Sequence, residues 1–110
     1  MMDFETIKNS VKYINLDSTR LDCANQFEAV VIKEEIDKLV SRLDSLFGPP
    51  AFPSKNRLSL QMRQTVDAFG GLMAGQTLYY SSQGNDVIFA MLWPWKDEEH
   101  TTVKIIKKII

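Results

Sequence analysis

Asp97, Glu98, Glu99 and His100 form the one local run of side chains able to hold a hard metal or move a proton. Four consecutive residues on a tight hairpin loop point in different directions, and the calcium-loop spacing with its central glycine is missing. The run therefore reads as a solvated turn, and no metal site is assigned. Cys23 and His100 are the sole members of a possible nucleophile and base pair. Nothing in the sequence brings them together, and no catalytic signature flanks Cys23, so a small buried hydrophobe is its expected role. With a single histidine in the chain, acid–base catalysis would have to rest on carboxylates such as Asp22 or Asp67. No catalytic residue and no cofactor is assigned, and the chain reads as a non-enzyme.

Gly70, Gly71 and Gly75 invite comparison with a phosphate loop. The lysine and hydroxyl of a P-loop do not follow them, and they lie between a helix and a strand in the wrong order for a Rossmann turn, so they read as cap and turn glycines. Trp93-Pro94-Trp95 is the most unusual tripeptide. Proline lacks a ladder donor, so Pro94 must face an unpaired edge or sit at a bulge, which is expected to turn the two indoles to opposite sides. One indole then belongs to the core. The other, with Phe52 and Tyr79, is a candidate lining for a pocket or an association surface. Tyr79 and Tyr80 beside Arg57, Arg63 and Lys104 suggest a single-strand nucleic-acid clamp, but neither a basic field nor a ribonucleoprotein motif accompanies them.

The formal net charge of -1 excludes the strongly basic field that drives phosphate-backbone binding, so no nucleic-acid partner is expected. A hydrophobic fraction of 45% and a charged fraction of 25% are those of an ordinary folded chain, and 110 residues suffice for one core. One domain over residues 1–110 is expected. A lone cysteine permits no intrachain disulfide, no stretch approaches a membrane span, and MMDFETIKNS lacks an apolar run after a basic start. A cytoplasmic, non-membrane protein is the corresponding expectation.

The elements that must position these residues follow from periodicity. Phe4, Ile7, Val11 and Ile14 recur at three and four, predicting a helix over 3–14 with Asp3 as its cap. Residues 15–25 carry no period and read as a loop or a short irregular strand. FEAVVI predicts a strand over 27–32, although Asn25-x-x-Glu28 resembles a capping box that would open a helix there. Ile36, Leu39, Val40, Leu43, Leu46 and Phe47 share a helical face, predicting a helix over 33–47 that Gly48-Pro49-Pro50 stops. The proline-rich stretch 48–56 should be a semi-rigid connection, followed by a helix over 60–69 capped by Ser59.

From Gln76 onward the chain reads as two successive hairpins, with strands over 76–82, 87–95 and 101–107. A tight loop at Gly84-Asn85 pairs Tyr80 with Phe89 and Leu78 with Met91. A four-residue loop over 97–100 would put Val103 and Ile105 on the face of Ile88, Ala90 and Leu92, and one more loop residue would put them on the opposite face, so the register after His100 stays open. The lysines of VKIIKKII suggest a guarded edge strand.

These elements predict a two-layer α+β fold, with about three helices on one face of a mainly antiparallel sheet of about four strands and a C-terminal meander. Val87 to Trp93 is apolar on both faces, and the more hydrophobic face, with Leu78, Tyr80, Phe89, Met91 and Trp93, is expected to meet the helices. The other face, with Tyr79, Ile88, Ala90 and Leu92, would then need a partner. The expected function is a self-associating interaction module, a homodimer through that face or the last strand, with another protein as the alternative partner. A second reading is a small-ligand binder whose apolar cavity lies near Phe52, Tyr80, Met91 and Trp93. The candidate binding residues are Phe52, Tyr79, Tyr80, Leu92, Trp93 and Trp95.

Overall fold

The structure, a computed structural model, describes residues 3–53, 58–71 and 75–109. Lys55 and Arg57, the end of the proline-rich connection and residues 72–74 lie outside the described residues. Three helices, α1 (Phe4–Lys12), α2 (Ile36–Phe47) and α3 (Leu60–Asp67), accompany five strands, β1 (Leu16–Asp22), β2 (Gln26–Ile32), β3 (Thr77–Gln83), β4 (Asp86–Pro94) and β5 (His100–Ile109). The strands form one antiparallel sheet in the order β1-β2-β5-β4-β3. The α+β class stands as expected, with one strand more.

The helix ends follow local chemistry. The Asp3 carboxylate accepts from the Thr6 backbone N–H at 2.7 Å, and the Ser59 hydroxyl accepts from that of Met62 at 3.2 Å, so α1 and α3 each begin at a side-chain cap. Gly48, at φ +82°, closes α2 in a conformation glycine adopts without strain. Lys38 pairs with Glu35 at 3.1 Å within the single 3-10 turn and first turn that open α2.

The fifth strand is β1, which replaces the loop expected there. Its register slips between Leu16 and Ser18 and again between Thr19 and Leu21, which erases the two-residue alternation that marks a strand in sequence. Asp22 holds this edge to α1 through Lys12 and through Lys8 at 2.9 Å, and Lys8 also reaches the Cys23 carbonyl at 3.2 Å. Lys8 is buried for that reason. The two lysines hold the Asp22 carboxyl below its ordinary value, and Asp22 raises the Lys8 ammonium.

The β3–β4 register is the expected one, Tyr80 opposite Phe89 and Leu78 opposite Met91. Val103 and Ile105 lie on the face of Ala90 and Leu92, as expected, but the loop residues are 96–99 rather than 97–100, which shifts the register by two and sets Leu92 opposite Val103 and Ala90 opposite Ile105. Three expectations are corrected. First, β5 is no edge strand but lies between β2 and β4, because its apolar residues Val103, Ile105 and Ile106 are buried on both faces. Second, the helices do not share one face. α1 and α2 pack on the face of Phe27, Ala29, Val31, Tyr79, Ile88, Ala90, Leu92, Val103 and Ile105, whereas Val66 of α3, with Phe52, Leu58 and Phe69, covers Leu78, Val87, Phe89, Met91 and Ile106. Ala29 and Ala90 leave room for two helices on the first face, while the bulkier Phe89 and Met91 fill the second under one short helix. Third, the face of Tyr79, Ile88, Ala90 and Leu92 therefore needs no partner to bury it, since α1 and α2 cover it and α3 covers the other.

Candidate functional site

Trp95 extends the second face beyond the cover of α3. Its backbone N–H donates to the His100 carbonyl at 2.8 Å across the hairpin end, which turns the Pro94 nitrogen to the other side, where β3 begins only at Thr77, opposite Leu92. Pro94 thus costs no ladder bond. The two indoles share one face, contrary to expectation, because residues two apart in an unbulged strand point the same way.

Trp93 packs against the turn after α3. A Cβ added to Gly70 would stand 3.1 Å from the indole edge, so glycine is what lets the ring approach. The Lys104 ammonium lies 3.8 Å from the centre of the Trp93 indole and 3.7 Å from the Glu28 carboxylate. Trp95 is anchored by its Nε1–H, which donates to the Thr102 hydroxyl at 2.8 Å, and it remains 36% exposed. The Arg20 guanidinium sits 5.3 Å from its ring and the His100 imidazole 4.8 Å, centre to centre.

Asp97 organises the loop beside these rings. Its carboxylate accepts from the backbone N–H of Glu99 at 2.9 Å and of His100 at 3.1 Å, and from His100 Nδ1 at 2.7 Å. Those bonds hold Asp97 below the ordinary carboxylate value, and the Asp97 partner raises His100, with Asp17 and Glu99 adding in the same sense. The acidic run is thus a turn built around one carboxylate. Among the described residues, no group of three or more His, Cys, Asp or Glu side chains could hold a metal ion.

The remaining candidates scatter. Tyr79 and Leu92 lie in the core under α1 and α2, where the Tyr79 hydroxyl donates to Asp44 at 2.6 Å and its ring meets Phe47 at 5.7 Å. Burial and the Asp44 carboxylate push the Tyr79 phenol well up. Tyr80 faces the other way, stacked on Phe89 at 6.2 Å, so the adjacent tyrosines form no common platform. Phe52 bridges to Leu78 and lines an open cavity of about 270 Å³ with Leu58, Arg63, Val66 and Asp67. This cavity shares only Phe52 with the expected one, because Met91 is fully buried in the packed second-face cluster.

Cys23 is exposed at the β1–β2 turn rather than buried, and that turn meets Lys107, at the opposite end of β5 from His100. The suggested nucleophile and base are not brought together. Arg20 and Thr102 complete the Trp95 surface, and Lys104 lies over the neighbouring Trp93. The expected loop over 97–100 would have placed His100 in the turn and paired Trp95 with Thr102, so the pairing of Trp95 with His100 was missed by two residues of register, and Arg20 carried no signal because it sits at the second slip in β1.

No helix among the described residues is long and apolar enough to cross a membrane. Comparison with protein-family models, with curated proteins and with solved structures gives no match.

Proposed function

We propose that the chain acts as a single-domain, non-enzymatic interaction module, and that two copies meet through the face around Trp95. The observation that carries this reading is an exposed indole with a guanidinium over it, beside an acidic hairpin loop. Asp97, Glu98 and Glu99 lie on the hairpin side with Lys96, and Arg20 lies on the other, where Lys104 is paired with Glu28. A two-fold axis through Trp95 brings each region against its complement, the pairing an isologous dimer requires. Tryptophan and arginine are also the residue types that most often dominate interfaces. Strand addition is the poorer route, since β5 is interior, the β1 edge is polar and twice irregular, and the β3 edge is already bridged at Leu78 by Phe52. The single free thiol, Cys23, suits a reducing, cytoplasmic setting.

Molar mass by light scattering, over about a hundredfold range of concentration, tests the reading. A dimer is expected, and Arg20→Glu should convert it to a monomer with an unchanged circular dichroism spectrum. A monomer throughout refutes it. The second reading, a small-ligand binder, draws on the cavity at Phe52, whose walls combine Leu58 and Val66 with the charges of Arg63 and Asp67. Saturable shifts of the Val66 methyl resonances with small aryl or alkyl carboxylates would favour it.

A further inference from the structure

We propose that His100 and Asp97 form a pH-responsive latch on the Trp95 surface, the imidazolium form fixing the hairpin loop and the indole, and the neutral form loosening them. This regulation rests on the reading of that surface as the docking face. Three contacts converge on one short loop. Asp97 ties the backbone at Glu99 and His100, His100 Nδ1 donates to the same carboxylate at 2.7 Å, and the imidazole lies on Trp95. An ionised carboxylate is acceptor only, so Nδ1 carries a hydrogen in either state, and protonation adds charge to a bond already aligned.

The charged groups around the ring favour the cation. Asp97 and Glu99 face it from the loop and Asp17 from β1. The cations on the elements packed there are Arg20, which lies over Trp95, Lys96 of the loop itself, and Lys33, whose backbone N–H donates to the Glu99 carbonyl at 2.9 Å. The charges that act on the ring most strongly are the acidic ones. Because His100 is raised in the folded chain, the latch is fully engaged below the ordinary histidine value of about 6.5 and is lost as pH rises through the higher, folded one. Asp97 sets the acid limit, since its lowered value keeps it ionised until the pH falls below the usual carboxylate range.

His100 is the only histidine and Trp95 one of two tryptophans, so both groups can be followed directly. Proton NMR of the full chain should give a histidine C2–H titration with a midpoint above 6.5. The Trp95 indole N–H resonance, assigned as the one missing in Trp95→Phe, should move with the same midpoint. Asp97→Asn should lower the midpoint, and in His100→Gln the indole should not titrate. In the Trp93→Phe variant, Trp95 emission should fall several-fold less steeply with acid once His100→Gln is added, because imidazolium quenches a neighbouring indole. A midpoint at or below 6.5, or an indole resonance that ignores pH, overturns the latch, and needs no variant to be seen. Light scattering at pH 5.5 and 8.5 then separates the two ideas. A dimer several-fold tighter at pH 5.5 supports the regulation, an equally tight dimer at both overturns it, and a monomer at both with an intact indole titration leaves the latch standing while removing the docking face.

Discussion

Replacing Tyr79 by phenylalanine removes one oxygen from a side chain that is 1% exposed and deletes its 2.6 Å donation to the Asp44 carboxylate. A hydrogen bond to a charged acceptor contributes about 1.5–3 kcal/mol when both partners are shielded. Asp44 lies at the exposed side of α2, so water takes over the freed carboxylate oxygen and the lower end applies, about 1.5 kcal/mol. For a chain of this size that is a fall in Tm of roughly 4–8 °C. The reverse substitution is informative because Asp44→Ala strands a buried phenol hydroxyl, which costs about 1–3 kcal/mol. Urea denaturation of the parent, both single variants and the double variant closes the cycle, with a coupling of about 1 kcal/mol expected. Alkaline difference spectra give a second reading. The absorbance rise near 295 nm should be the same in Tyr79→Phe as in the parent until the chain unfolds, because the Tyr79 phenol is raised by burial first and by Asp44 second. A Tyr79→Phe variant within about 0.3 kcal/mol of the parent would refute the claim that this bond ties α2 to β3.

Leu92→Lys discriminates between the two faces. Leu92 is 5% exposed under α1 and α2, so a lysine there buries an unpaired charge and should cost more than about 4 kcal/mol, seen as loss of the cooperative melting transition. A folded monomer would instead show that face to be a surface. Asp22→Asn should destabilise the chain most at neutral pH. The Asp22 carboxyl is lowered by Lys12 and Lys8, so its contribution is present above the ordinary carboxylate value and disappears as the pH falls through the lowered one. The Tm difference between variant and parent should accordingly shrink between pH 7 and pH 2.

Much of the fold was legible because the local signals agree with one another. Asp3 and Ser59 cap the helices they were expected to cap, and Gly84-Asn85 sets a register that carries Tyr80 to Phe89. What escaped depends on geometry between elements. The slips at Asp17 and Arg20 hide β1, because a period-two pattern cannot survive two extra residues. α1 and α2 cover the face that carries Ala29 and Ala90, whereas total hydrophobicity pointed to the opposite face. The Trp95 surface was half visible. Trp93 and Trp95 stood out by composition, but Arg20 meets Trp95 from 75 positions earlier in the chain, and nothing short of the sheet order joins them.

The interior place of β5 has a consequence for how the chain is made. The β1–β2 and β3–β4 hairpins touch different sides of β5 and are joined into one sheet only by it. Of the five strands, β5 is also the last to leave the ribosome. At roughly 5–20 residues per second, its ten residues are added over about a second. During that interval two half-sheets exist side by side, each offering the edge that β5 will later fill, and the long β2 and β4 edges are apolar templates for any strand nearby. The same strand that seals the finished molecule thus defines the moment in synthesis when a neighbouring nascent chain could take its place.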